Sequence, residues 1–492
     1  MKKTILSLIT AALTMPTFAQ YNGEGFYRIK NKGAAYRYIS IANNKVEKSV
    51  SDIDPQTGLS QAITIWSLRT VKDPITDPGS VIEISGNTND LSLKAQGLST
   101  KELMKNYKLQ TNGSDLFSEY KGTTVQLIDE YDPYIKDKDA QVSIATPRFI
   151  REEKVGSYAA WEIIKIDNQN EYFGVAPEIK VGDKYYTTLY TFFAYELPAG
   201  MKAYYVDQHL DKSFNKYVDE PVAELIEISG QVPAGTPVIL ECSSQKPADN
   251  ILKPLTSSST KIDNSKNELS GNRFCFYSLF AGKEKTSTEY WNELRNVVEY
   301  ESSMRVLGVD KNGKLALVPA AKDQLEWTDR TTKGYLPANT AYFTKTTGLD
   351  ATASLQLVDQ EEFKAAKEAA EGLSKQETMF NEQKDVKKKE CEDMAMEGDD
   401  EYCSELINKA KKDIDDLQFS KDKSLDENLA AIDAIIKQLA NDLSTYRASG
   451  IESIRQSETA NNVWYDLQGR RLQGAPKQKG IYIKHSRKVI IK

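Results

Sequence analysis

Histidine is nearly absent from this chain: there are two, His209 and His485, in 492 residues. Most of the sequence therefore lacks the usual general base and the commonest metal ligand. Cysteine is scarce as well. Neither of the pairs Cys242/Cys275 and Cys391/Cys403 has zinc-site spacing or a histidine close by in sequence. No Gly-x-Ser-x-Gly, His-Glu-x-x-His or phosphate-loop pattern occurs, so nucleophilic, zinc-hydrolytic and nucleotide chemistry have no motif here. Beyond the first segment, no apolar run reaches the roughly 18 residues of a membrane-spanning helix. The formal net charge of -7 argues against nucleic acid as a main partner.

What is present begins with an address. Lys2 and Lys3 make a charged start, Ile5 to Leu13 is a short apolar run, and Thr17-Phe18-Ala19 places small residues before Gln20. Residues 1–19 therefore read as a secretory signal peptide, and the destination as secreted or the outer cell surface. The remaining length predicts two to four domains. An oxidising destination permits disulfides Cys242–Cys275 and Cys391–Cys403; four buried thiols are the alternative. Tyrosine is plentiful, at 26 residues. Exposed tyrosines serve contact surfaces, but core aromatics of β domains are the commoner explanation.

Residues 20–175 carry a β pattern. Gly25 to Lys30 alternates, Tyr36 to Ile41 follows, and Ile63-Thr-Ile-Trp-Ser-Leu68 comes next. Val81–Ile84 with Leu91–Leu93, and Thr124–Leu127 with Val142–Ile144, supply further strands, while Ser99 to Tyr107 reads as helical. A second close stands at Ala160-Trp-Glu-Ile-Ile164. The order of these phrases resembles the ricin-type β-trefoil, which implies a lectin-like domain. The Gln-x-Trp close of such sugar sites is missing: Thr64 stands two before Trp66, and Ala159 two before Trp161. Both tryptophans are expected in the core.

Residues 180–350 form a second β-rich region, a sandwich or barrel. Its phrases are Tyr185 to Gly200, Lys202 to Val206, Ala223 to Ile228, Val232 to Leu240, Arg305 to Gly308 and Gly334 to Phe343. Asn312-Gly313 marks a hairpin turn. Asp263 to Glu301 breaks the rhythm around Tyr290-Trp291. This run of phrases resembles a β module that recurs in Bacteroidota surface proteins, and that resemblance brings no catalytic activity.

From 359 to 448 the period becomes helical. Leu425, Leu429, Ile432, Ile436, Leu439, Leu443 and Tyr446 mark one stripe, with Ser424 and Glu427 as a capping box. Cys403, Ile407, Ala410, Ile414 and Leu417 mark a second, and Phe363, Ala366, Ala370 and Leu373 begin a third. A three-helix bundle follows, with Cys391 and Cys403 flanking the acidic turn Glu397 to Asp400. The run Lys387 to Glu390 reads as a solvated face, and residues 449–462 as a linker.

Residues 463–492 alternate again around glycine turns and predict a small β hairpin unit. The stretch from Tyr465, Asp466 and Leu467 to Gly469 and Arg470, the stretch with Gly480 and Tyr482, and the basic close ending at Lys492 resemble the type A C-terminal sorting domains of Bacteroidota exported proteins. That resemblance implies recognition by the type IX secretion machinery. One departure is that His485-Ser486-Arg487 stands where such tails often carry Gly-Lys.

Sites for chemistry are few. Asp207-x-His209 is a weak metal pair, and an exposed loop histidine is expected. Asp129, Glu130, Asp132, Asp137 and Asp139 fit no calcium loop and read as a solvated acidic loop. No cofactor or metal is expected. Two function classes follow. One is a non-enzymatic binding or adhesion protein whose partner is a glycan or a host or surface protein. The other is a hydrolase of glycan or peptide, with carboxylates that no motif marks; paired acids about 5–10 Å apart in a cleft would distinguish it. Export predicts that mass spectrometry of the secreted protein finds a chain starting at Gln20; retention of Met1 would refute it.

Overall fold

The computed structural model describes residues 21–32, 38–42, 67–71, 74–99, 108–112, 116–120, 123–130, 142–143, 146–150, 160–272, 298–325, 334–344, 348–448, 464–484 and 487–491. Residues 1–19, Trp66, Cys275, Tyr290-Trp291, the 449–462 stretch, His485 and Lys492 lie outside them, as does most of the helical reading of Ser99 to Tyr107. The chain is mainly β and divides into two compact units. The first is Met1–Phe214 with Val218–Lys364; the second is Asn215–Tyr217 with Ala365–Lys492.

In the first unit, the strand Gly25–Asn31 is buried on both faces, from Phe26 through Ile29. Successive side chains of a strand point to opposite faces, so this one segment serves two cores. Tyr27 and Ile29 join a first core with Ile82, Ile84, Leu93, Trp161 and Ile163. Phe26 joins a second, where its ring lies 6.0 Å from that of Phe193. Each fully buried large side chain contributes about 1.5–3 kcal/mol. The strand pairs antiparallel with Tyr38–Ala42, with Ile82–Asn87 and with Trp161–Lys165. A strand 130 residues further along thus closes onto the first, with Asn31 opposite Trp161, and the twelve-stranded sheet curls into a near-barrel. Trp161 is fully enclosed, as its core reading requires. Thr123–Glu130 pairs with Thr146–Ile150, and Val142–Ser143 pairs with Ser67–Val71.

An eight-stranded sheet follows in the order Ile179–Val181, Lys184–Leu189, Val238–Cys242, Lys202–Leu210, Val222–Ile228, Leu355–Val358, Leu315–Val318, Val306–Val309. One face, carrying Ala203, Leu240 and Cys242, covers the Phe26 core. The other, with Val206, Ala223 and Ile239, builds a third core with Leu317, Phe343 and Leu355. Asp310 shapes the hairpin at Asn312-Gly313: its carboxylate accepts from the N–H groups of Asn312 and Lys314 at 2.8 and 2.9 Å, and Gly313 takes φ +80°. Leu355–Val358 runs parallel to Val222–Ile228 and carries this sheet to the threshold of the first helix.

Polar side chains fasten the loops. Arg28, fully buried, donates to Glu171 at 2.8 Å, to the carbonyls of Pro74 and Tyr172, and to Ser80. Arg305, also fully buried, meets no carboxylate among the described residues. It donates instead to the carbonyls of Ser302, Met304, Asp350, Ala351 and Ala353 at 2.8–3.1 Å. Five donors meet five acceptors, the whole capacity of a guanidinium. Gln96 and Asn339 exchange amide hydrogen bonds of 3.0 and 3.1 Å inside the unit. Both adopt left-handed backbone conformations, with φ 49° and 59°. That costs about 1–3 kcal/mol per residue, which the paired amides help to offset.

The second unit contains helices α1 (Gln360–Asp393), α2 (Glu401–Asp416) and α3 (Leu425–Ala448). Their apolar stripes meet in one core of Phe380, Cys391, Cys403, Ile407, Ile414, Ile432, Ile436, Leu439 and Leu443. Asp400 caps α2 by accepting from the N–H groups of Tyr402 and Cys403, and its other oxygen takes the Tyr446 hydroxyl at 2.6 Å. Ser424 and Glu427 form the expected capping box at α3. The lysine run is more than a solvated face. Lys387 pairs with Asp433, Lys388 with Asp415, and Lys384 donates to the last carbonyls of α2, so the run stitches α1 to both partners.

Replacing Arg305 with Ala should lower unfolding free energy by about 3 kcal/mol or more, because five carbonyls lose their donors together. Arg305→Lys should recover only part of it. Urea midpoints measure both, and a shift below about 1 kcal/mol for the alanine variant would refute this role.

Candidate functional site

Three places gather polar chemistry. The first is the 464–491 segment. Trp464–Tyr465, Arg471–Leu472, Gly480–Lys484 and Arg487–Ile491 make a four-stranded antiparallel sheet. Asp466 organises its first turn. The carboxylate accepts from the N–H groups of Gln468 and Arg470, each at 2.9 Å, and from Arg470 Nε at 2.7 Å. The Arg470 backbone N–H, more than its side chain, holds this carboxyl below its ordinary range. Gly469 takes φ +76°, which a glycine adopts without penalty. Tyr465 pairs with Ile483 and Arg471, Gly480 with Ile491, and Tyr482 with Val489, while Leu467 projects 58 % exposed from the turn. The structure thus brings Tyr465, Asp466, Gly469, Arg470, Gly480 and Tyr482 into one small sheet.

The second place is a stripe across the eight-stranded sheet. Tyr186 pairs with Glu241, which pairs in turn with Lys202. The hydroxyls of Tyr186 and Tyr204 both donate to Glu241 Oε2, at 3.4 and 3.2 Å, and Lys184 Nζ stands 3.6 Å from Oε1. Lys202 continues the row to Glu227 at 2.9 Å. The rings are half-buried and Tyr186 leans on the third core. Burial first, and the Glu241 charge second, push Tyr186 up to about 12 and raise Tyr204 as well. The abundance of tyrosine favoured core aromatics over such a surface. The particular residues were not legible, because Glu241 lies 37 and 55 residues away from its two partners.

The third place is His209, and here an expectation is corrected. His209 lies in the strand Lys202–Leu210, not in an exposed loop, and its side chain is 16 % exposed. Its partners are Glu268, 2.6 Å from Nδ1, and Asp211, 3.7 Å from Nε2, rather than Asp207. Its ring meets Phe343 edge-on. Among the described residues no group of three or more histidine, cysteine or acidic side chains is arranged to hold a metal. Of the acidic stretch, Asp129 and Glu130 are paired in a strand ladder, opposite Pro147 and Thr146, rather than in a loop. Asp132, Asp137 and Asp139 lie outside the described residues.

Cys242 is a thiol in the second core, where burial pushes it up to about 12. Cys391 and Cys403 are thiols enclosed together in the helical core, and burial raises Cys391. Carboxyls in the described residues whose pKa departs clearly from the ordinary value, such as Asp167, Asp263, Glu377 and Asp466, are displaced downward, the direction opposite to that of a general acid. No described helix is long and apolar enough to cross a membrane. No family model, no curated protein and no solved structure matches the chain.

The raised tyrosines have a consequence at high pH. A hydroxyl whose folded pKa exceeds its unfolded one stabilises the fold fully below about pH 10, and that contribution is lost as pH climbs toward 12. Ultraviolet titration at the phenolate band should show Tyr186 and Tyr204 ionising late, as the difference between the wild type and the paired phenylalanine variant. Glu241→Gln should bring both back toward 10 by removing the neighbouring charge. Overlapping curves for all three proteins would refute the assignment.

Proposed function

We propose that this is an exported, non-enzymatic binding protein of the cell surface whose β unit takes glycan and whose 463–492 sheet serves sorting. One observation carries the binding half: two half-buried tyrosines share one carboxylate on the eight-stranded sheet. Ring faces pack against the C–H faces of a sugar, and Glu241 accepts from vicinal hydroxyls while Lys184 holds its charge in place. The return of Trp161–Lys165 onto Gly25–Asn31 supports a trefoil-like reading of the first β region. The Asp466 turn and the order of strands after it support the sorting reading, with the export machinery as partner.

The two halves are tested together. Tyr204→Ala should cost at least tenfold in retention on a glycan array and leave surface display unchanged. Deleting 463–492 should abolish display in the native host and leave both glycan retention and the main thermal transition in place. Binding that survives Tyr204→Ala and Glu241→Ala together refutes the stripe; display that survives the deletion refutes sorting.

A further inference from the structure

The 463–492 segment has a second property that neither sorting nor glycan binding uses. It holds eight lysines and arginines and one acid, Asp466, within a chain of net charge -7. The acid is already committed to Arg470 and the turn. Six of the cations, Arg470, Arg471, Lys477, Lys479, Arg487 and Lys488, are exposed.

The register places apolar side chains among them. Ile481 stands opposite Ile490, and the two are 44 % and 65 % exposed. Strand partners share a face, and so do residues two apart. By that rule Ile483, Lys488, Tyr465 and Arg471 lie on the same face as the two isoleucines. That face therefore shows branched apolar carbons along its last two strands, with Arg471 and Lys488 on its two edge strands.

We propose that this sheet docks on an anionic lipid bilayer. A positive, exposed surface needs an anionic partner. The charges are spread over strands and loop, which suits headgroups that rearrange beneath them. The two isoleucines suit the acyl boundary just below the headgroups. An acidic protein would have to match a fixed pattern of charge and would leave Ile481 and Ile490 against polar surface. The rest of the chain is acidic, so an anionic bilayer attracts this sheet and repels the remainder.

The inference stands apart from the proposed function, because lipid binding is measured on purified protein and needs neither export nor sugar. The test is co-sedimentation of the full mature chain with phosphatidylcholine vesicles, with and without one-third phosphatidylglycerol, over a salt series. Binding is expected only with the anionic lipid and should weaken steeply with salt. Lys477→Glu with Lys479→Glu, both in the loop between strands, should weaken it at least tenfold, since each charge near such a surface is worth roughly fivefold. Ile481→Ser with Ile490→Ser should weaken binding severalfold while the salt dependence persists. Circular dichroism checks that each variant keeps its fold, and the loop pair decides if the isoleucine pair unfolds. Equal binding to neutral vesicles, indifference to the loop substitutions, or capture by immobilised polyglutamate without vesicle binding would overturn the proposal, the last pointing to an acidic protein instead. A protein that binds vesicles but no glycan, or glycan but no vesicles, separates failure of one reading from failure of the other.

Discussion

The first unit depends on one guanidinium that has been taken out of water. Arg28 sits in the middle of the strand that both β cores share, fully enclosed. Burial lowers its pKa, and Glu171 opposes that effect. A buried cation without partners would break the strand, so the chain brings it partners from two distant loops, at Pro74 and at Glu171 to Tyr172. Those loops then lie where Phe173 and Phe193 meet Phe26. The second core is set by that meeting. The eight-stranded sheet rests on this core, and the tyrosine stripe rests on the sheet. Arg305 repeats the device at the far end, with carbonyls in place of a carboxylate.

What the sequence made legible was local. The period of two in Gly25 to Lys30, the four-three stepping of α3, the Ser424–Glu427 cap and the Asp466 turn each rest on residues within a few positions of one another. What stayed hidden was long-range. Gln96 and Asn339 are 243 residues apart, and nothing in either neighbourhood announces the other. His209 looked solitary because Glu268 is 59 residues away. Leu355–Val358 was not among the strand phrases, because a parallel strand has its partner far back in the chain and no hairpin turn beside it. The lysines after Val386 looked solvated because their acids, Asp415 and Asp433, sit on other helices.

A single local device recurs in unrelated places. Asp167, Asp310 and Asp466 each accept, through one carboxylate oxygen, from the N–H groups two and four residues ahead. Each turn also holds one residue with positive φ: Asn168, Gly313 and Gly469. An aspartate side chain mimics the backbone acceptor of a tight turn, so it fixes hairpin register without help from a core. That matters most in the 464–491 sheet, where Trp464 is the one described residue that is buried. Turn chemistry carries more of the specification where packing has little to offer.

The closure of Trp161–Lys165 onto Gly25–Asn31 has a kinetic side. Joining those strands draws a loop of some 130 residues together before any contact between them repays the lost freedom. The parallel pair of Val222–Ile228 and Leu355–Val358 imposes the same delay again over a similar span. Helix contacts span far shorter distances along the chain, and such contacts form orders of magnitude faster than non-local β pairing. The bundle is therefore assembled while the β unit is still searching for its first and last strands. For that interval the molecule is a finished helical body tethered to an open sheet with unpaired edges, and it is most open to capture by other chains at the moment when its helical part already looks complete.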